Sequence, residues 1–171
     1  MQRFQYDMDS PVGVLSLVSD GEALTGLYFV EHQHAPPADD RGARVDDDEL
    51  GDHPIFVTAR DQLSEYFAGQ RRDFDVALNP RGTAFQHRVW AALRTIDFGQ
   101  TANYGQIAAA IDSPSASRAV GAANGRNPIS IIVPCHRVIG SNGSLTGYGG
   151  GAPRKQALLD LERSVTGASL F

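Results

Sequence analysis

The apolar residues of this chain repeat at two different periods, and the period-two alternation is confined to the residues before Asn79-Pro80-Arg81-Gly82, a run that reads as a linker between domains. Before it, residues 3–7 and 12–18 alternate roughly at period two around Ser10-Pro11-Val12-Gly13, and residues 23–30 follow a turn at Asp20-Gly21. Alternation of this kind marks half-buried strands, so three strands joined by tight turns are expected. Phe56, Ala59, Leu63, Tyr66 and Phe67 then stand at helical spacing over residues 54–68, stopped by Gly69, and residues 74–78 read as a further strand. After the run, Thr83 stands where it can cap a helix with Phe85, Val89, Trp90, Leu93 and Ile96 on one face, read as core. Two short helices over 104–111 and 115–124 are separated by Asp112-Ser113-Pro114, the spacing of a helix-turn-helix. A last helix over 153–163 presents Ala157, Leu158 and Leu161 to the core. The expected fold is α+β in two domains, residues 1–80 and 81–171.

Charge separates the same two halves. Residues 1–80 carry 6 Lys and Arg against 16 Asp and Glu, whereas residues 81–171 carry 9 against 4. The basic half is the one suited to a polyanion such as nucleic acid, although unlike solvated faces give the same count. Much of the acidity falls in residues 31–52, which are rich in Pro, Asp, Gly and His, lack periodicity and read as a mobile loop. His32 and His34 within it are expected to be solvent-exposed rather than metal ligands. The one cysteine excludes an internal disulfide and fits a reducing compartment; with no apolar stretch long enough to span a bilayer, a cytoplasmic protein is expected.

That cysteine lies in Ile131-Ile132-Val133-Pro134-Cys135-His136-Arg137-Val138. Three β-branched residues favour a short buried strand that Pro134 ends, with the thiol at its tip. A neighbouring imidazole can lower a thiol's pKa or take its proton. On adjacency alone, an inert buried thiol is the better reading. Asn127-Pro128 makes a turn through which Asn127 can hold the loop presenting Cys135. Beyond the thiol, residues 140–144 read as a hairpin turn. Residues 145–151 read as a glycine-rich loop whose backbone can approach a ligand closely, without the Gly-Lys-Ser/Thr ending of a phosphate loop. Glu162 can reach His136 if the last helix packs beside it. The second short helix is small-sided around a lone Arg118, which suits either close approach to DNA or tight helix packing.

These segments together carry a resemblance. Asn127-Pro128-Ile129-Ser130 leading into Pro134-Cys135-His136-Arg137-Val138-Ile139, with Tyr104-Gly105-Gln106-Ile107-Ala108, Ser117-Arg118-Ala119-Val120-Gly121 and Thr146-Gly147-Tyr148-Gly149-Gly150-Gly151, closely resembles the O6-alkylguanine-DNA alkyltransferases. It is strong over residues 80–165 and holds only in outline before them. It implies an N-terminal antiparallel sheet with a helix, ribonuclease H-like, followed by a helical domain with a winged helix-turn-helix. It implies single-turnover transfer of an alkyl group from O6-alkylguanine, and from O4-alkylthymine, in double-stranded DNA to Cys135. His136 would act through water as base, oriented by Glu162, with Asn127 as loop hinge and Tyr104 assisting the departing base. Arg118 would fill the place of the extruded nucleotide, and DNA contact extends to Tyr104, Gly105, Ser113, Ala119 and Ser141 through the minor groove. Carbonyls of Cys135 and Val138 would meet the guanine 2-amino group, with Tyr148, Gly149 and Lys155 lining the pocket. Neither cofactor nor metal is implied, and the protein is expected to be a monomer in solution.

Two departures qualify this. Some relatives have serine where Gly149 stands, so a wider pocket tolerating adducts larger than methyl is expected. Some bind structural zinc through N-terminal cysteines, which this chain lacks. Non-catalytic lesion-binding relatives replace the nucleophile by tryptophan, which the presence of Cys135 argues against, and a Cys-His hydrolase would lack this array. A transcription regulator would need long polar side chains to read base edges.

Overall fold

The computed structural model describes residues 2–145 and 147–167. Strands β1 (Phe4–Met8), β2 (Leu15–Ser19) and β3 (Leu24–Phe29) form an antiparallel meander, and β4 (Ala43–Arg44) adds to the far edge of β1 in parallel, giving the order β3-β2-β1-β4. Helix α1 (Pro54–Phe67) has proline in its first turn, where a missing N–H costs nothing. It buries Phe56, Ala59, Leu63 and Tyr66 at the expected helical spacing.

The second half is helical. Thr83 caps α2 (Ala84–Leu93) by accepting the Gln86 N–H at 3.1 Å, and Asn103 caps α3 (Tyr104–Ala110) in the same way at 2.8 Å. Helix α4 (Ser117–Gly125) follows α3 as the second member of the helix-turn-helix, and the Trp90 indole donates to the Ala123 carbonyl at 2.9 Å to tie α2 to α4. Strands β5 (Ala102–Asn103) and β6 (Val138–Ile139) pair in parallel beside them, and α5 (Ala152–Thr166) closes the chain.

Four expectations are corrected. Residues 74–78 form no strand; Leu78 makes one isolated bridge to Leu24, flanked by hydrogen bonds between Leu24 and the backbone of Ala77 and Asn79. Residues 31–52 are ordered by two 3₁₀ turns (Ala38–Asp40 and Asp47–Asp52) and by β4, because the Gln5 amide donates to the Ala38 and Gly42 carbonyls and pins the segment to β1. Residues 140–144 do turn, with the Gly140 N–H on the Ser144 carbonyl, but β6 pairs with β5 rather than across that turn. Residues 147–151 of the glycine-rich run form no helix or strand, and Thr146 lies outside the described residues.

The fourth correction positions the site. Residues 131–133 are consecutive turns rather than a strand, with the β-branched Ile131 at φ 70°. Such a residue in the left-handed region is strained, so something must hold it. The Asn127 amide donates to the Val133 carbonyl at 2.8 Å and to the Ile129 carbonyl at 3.4 Å, while its oxygen accepts the Ile129 N–H at 3.0 Å. Local side-chain hydrogen bonding thus outcompetes the strand ladder. The segment is also docked on the first half, since Leu27 of β3 donates to the Pro128 carbonyl and accepts from Ser130. The outer edge of β3 is therefore covered, and one buried apolar cluster runs from Tyr6 through Trp90 to Val138. We predict that Asn127→Ala costs about 2–4 kcal/mol in chemical denaturation, since it leaves buried backbone groups unpaired. A loss under about 1 kcal/mol would mean the turn holds itself.

Candidate active site

Cys135 opens a short 3₁₀ turn (Cys135–Arg137) that follows these turns, its own N–H donating to the Val133 carbonyl at 2.8 Å. The thiol is buried at 3% exposure. Burial pushes its pKa up, opposed in part by the Asn127 amide, the Lys155 ammonium and the Ser130 hydroxyl. The resting group is therefore a thiol, and a base is needed when it reacts.

The next residue carries a group of the right chemistry. His136 is fully buried, with Nε2 2.6 Å from Glu162 Oε2 and with Nδ1 making no hydrogen bond to protein. Burial lowers the imidazole pKa, and although Glu162 works against this, the net direction is down. A neutral ring facing a carboxylate carries its proton on the nitrogen that faces it, so Nε2 donates and the Nδ1 lone pair is free to accept.

Glu162 itself comes from the core face of α5 and is 0% exposed. Burial alone would raise its pKa. Bonds from His136 and Arg137 outweigh that and hold the carboxyl well below the usual carboxylate range. The Tyr66 hydroxyl donates to Oε2 at 2.6 Å, Arg137 Nε to Oε1 at 2.8 Å, Arg137 Nη2 to Oε2 at 3.2 Å, and the Gly99 N–H to Oε1 at 3.1 Å. Arg137 also donates to the Ile96 carbonyl at 2.7 Å.

Tyr148 and Lys155, both buried, lie within electrostatic reach of the thiol, and Val138 is buried at the start of β6. Lys155 Nζ and the Tyr148 hydroxyl make no hydrogen bond to protein, and the ammonium lies 5.8 Å from the centre of the Tyr148 ring. Burial lowers the Lys155 pKa, with Cys135 opposing. Asn124 donates to the Cys135 carbonyl at 3.3 Å. Tyr104 is half-buried at the start of α3. Its ring is 3.8 Å from where a Gly121 Cβ would sit and its hydroxyl 3.4 Å from where a Gly147 Cβ would sit. It thus stands between α4 and the glycine run.

Tyr104, Gly105 and Ser141 share an open groove of about 570 Å³ with Asn103, Ser117 and Asn142. Arg118 and Ala119 do not line that groove and are exposed on α4; Ser113 is half-buried in the turn between the helices. A separate cavity of about 420 Å³, lined by Tyr28, Arg41, Arg81 and Arg126 among others, contains none of these residues. Among the described residues no cluster of His, Cys, Asp and Glu could hold a metal ion, and no helix is long and apolar enough to cross a membrane.

Several members are not legible from sequence. Arg137 stands in the motif with no signal that marks a role, and the helical spacing of Tyr66 fits core and site alike. Gly99 and Asn124 carried no signal. His32, expected to be exposed, is half-buried against Phe29, and its ring occupies the space beside Gly149. Gly149 therefore does not face the free room that the absence of a serine side chain suggested.

One buried and one half-buried histidine and a buried carboxylate have lowered pKa values, so acid weakens the fold in two steps. A histidine whose folded pKa lies below its unfolded value loses stability as pH falls from the unfolded value toward the folded one, so His136 and His32, the latter pushed down to about 4, lose stability as pH falls below 6.5. Glu162 contributes stability that is complete above its unfolded value of 4.5 and is lost below it. We predict a melting temperature that declines from pH 6.5 and more steeply below 4.5, the steep limb shrinking in Glu162→Gln. A flat profile from pH 7 to about 4 would contradict this.

Comparison with known proteins places the geometry. The model of the 6-O-methylguanine DNA methyltransferase DNA-binding domain matches residues 84–164, and that of the ribonuclease-like domain of the same proteins matches residues 6–80. A methylated-DNA–protein-cysteine methyltransferase of Mycobacterium tuberculosis is 52% identical over 167 residues, covering 95% of this chain and 94% of that protein. One from Methanosarcina acetivorans is 48% identical over 156 residues, covering 91% and 96%. The crystal structure of the M. tuberculosis O6-methylguanine methyltransferase superposes with a TM-score of 0.85 at 51% identity, covering 95% of this chain and 94% of that one. The M. tuberculosis protein OGT in complex with DNA gives 0.84 at 50%, with the same coverage.

Proposed function

The chain belongs to the 6-O-methylguanine DNA methyltransferase family, and we propose that it repairs DNA by moving the alkyl group of O6-alkylguanine, and of O4-alkylthymine, onto Cys135 in one irreversible turnover. The observation that carries this reading is the Cys135, His136 and Glu162 arrangement, in which a buried thiol is followed directly in the chain by an imidazole held by a buried carboxylate at 2.6 Å.

The step is a displacement. The thiol proton passes through water to His136 Nδ1, the thiolate sulfur attacks the alkyl carbon, and the carbon–O6 bond breaks with its electron pair left on the base. Tyr104 supplies a proton to the departing guanine. The carbonyls of Cys135 and Val138 accept from the guanine 2-amino group, and the Gly149 N–H donates to O6. Tyr148 and Lys155 close the pocket, and Asn127 fixes the loop that carries the thiol. The product is a thioether, which no neighbouring group reverses, so each molecule acts once. Keeping the resting sulfur protonated also slows its reaction with stray electrophiles.

DNA is the partner of the second half. Exposed Arg118 and Ala119 on α4 and the groove lined by Tyr104, Gly105 and Ser141 face the same task from two sides. Small residues at Ala116, Ala119, Gly121 and Ala122 suit close approach to the minor groove, with Arg118 entering the stack as the damaged nucleotide leaves it. We place the protein in the cytoplasm as a monomer.

Intact mass after incubation with duplex DNA containing O6-methylguanine tests this reading. The expected result is a gain of one methyl group per molecule, mapped to Cys135 and absent in Cys135→Ala. No gain, or continued turnover beyond one equivalent, would overturn it.

A further inference from the structure

The segment after β3 reaches across to the glycine run of the other half. The Gln33 N–H donates to the Gly149 carbonyl at 2.9 Å. The His32 ring lies nearly flat on Phe29, with 5.5 Å between ring centres and 12° between planes, and meets Tyr28 edge-on. Its Nδ1 accepts the Phe29 N–H at 3.1 Å, so the neutral ring carries its proton on Nε2.

That end of the ring occupies the side-chain space of Gly149. A Cβ there would lie 2.7 Å from Nε2, 3.0 Å from Cδ2 and 3.4 Å from the Gly125 carbonyl oxygen. Gly149 is absent from the glycines with positive φ, so its backbone would admit a side chain and only its neighbours forbid one. At Gly150 the same holds against Phe29, whose ring would stand 2.4 Å from a Cβ. Arg154 completes the clamp, donating to the Val12, Val30 and Gly150 carbonyls at 2.7–3.2 Å. Burial, with the cations of Arg154 and Arg41 nearby, keeps the imidazole neutral.

We propose that His32 is a positioning residue of the guanine pocket, its ring and the adjoining Gln33 amide fixing where the Gly149 backbone stands relative to the base. This rests on the reading of Cys135 as the alkyl acceptor. A backbone donor that must meet O6 loses effect when displaced by a fraction of an ångström. The ring replaces, from the first half of the chain, the buttress that a side chain on Gly149 would give. The first half thereby takes part in base recognition without touching DNA.

Single-turnover transfer from O6-methylguanine duplex, followed against protein concentration, separates binding from the limiting rate. For His32→Ala we expect the limiting rate to fall about tenfold, with the dissociation constant within about twofold of wild type. Gly149→Ala, which drives a methyl group into the ring, is expected to lose a similar factor. In the double variant the methyl group gains the room the ring vacates, so the losses should fall well short of multiplying. His32→Gln retains an acceptor for the Phe29 N–H and should recover most of the rate, which a general loss of folding would not allow. A wild-type limiting rate in His32→Ala, multiplicative losses in the double variant, or a His32→Gln as slow as His32→Ala would overturn the proposal. Failure of the wild type to be methylated in the same assay would instead count against the alkyl-transfer reading.

Discussion

The Glu162 carboxylate has no exposed surface, yet it is held ionised by Tyr66 from α1, Gly99 from the loop before β5, and His136 and Arg137 from the turn that begins at Cys135. A buried charge is costly unless its lone pairs are met, and removing one partner of such a pair costs about 3–5 kcal/mol. This requirement brings both halves of the chain and the last helix to one point. The same bonds leave His136 with its proton on Nε2 and its lone pair on Nδ1, which is what a base for the adjacent thiol needs. Holding the fold together and readying the imidazole are two results of one interaction.

Reactivity is then restrained rather than maximised. Burial keeps the Cys135 sulfur protonated, and the nearby Lys155 ammonium favours the thiolate without itself being paired to it. The turn that presents the thiol carries a left-handed Ile131 and is stable because Asn127 meets its carbonyls and because β3 docks against Pro128 and Ser130. A site that reacts once has no need to reset, so strain here need only hold the thiol in position until transfer. On the opposite side, Phe29, His32 and Arg154 brace the glycine run from the first half.

The helices were legible because their apolar spacing and their caps agree, as at Thr83, and because Pro54 and Gly69 bound α1. The three-stranded meander was legible from alternation between turn residues. The turns at 131–133 were not, since three β-branched residues favour a strand and only Asn127 overrides them, through hydrogen bonds that no local propensity records. The order of residues 31–52 was hidden for the same reason, resting on the Gln5 side chain some thirty residues away. Of the site, Cys135, His136 and Glu162 could be named from the motif and from the core face of α5. Tyr66 and His32 could not, because an aromatic on a buried helix face and a histidine in a polar loop look the same whether or not a distant residue needs them.

Burial keeps His136 neutral, and Glu162 sets which nitrogen holds the proton, leaving Nδ1 bare. Nitrogen chemical shifts of His136 in ¹⁵N-histidine-labelled protein read this directly. Across neutral pH the ring should show a protonated Nε2 and an unprotonated Nδ1, persisting as pH falls through 6.5. In Glu162→Gln that preference should weaken. A His136 that is charged at neutral pH, or that carries its proton on Nδ1, would contradict the account.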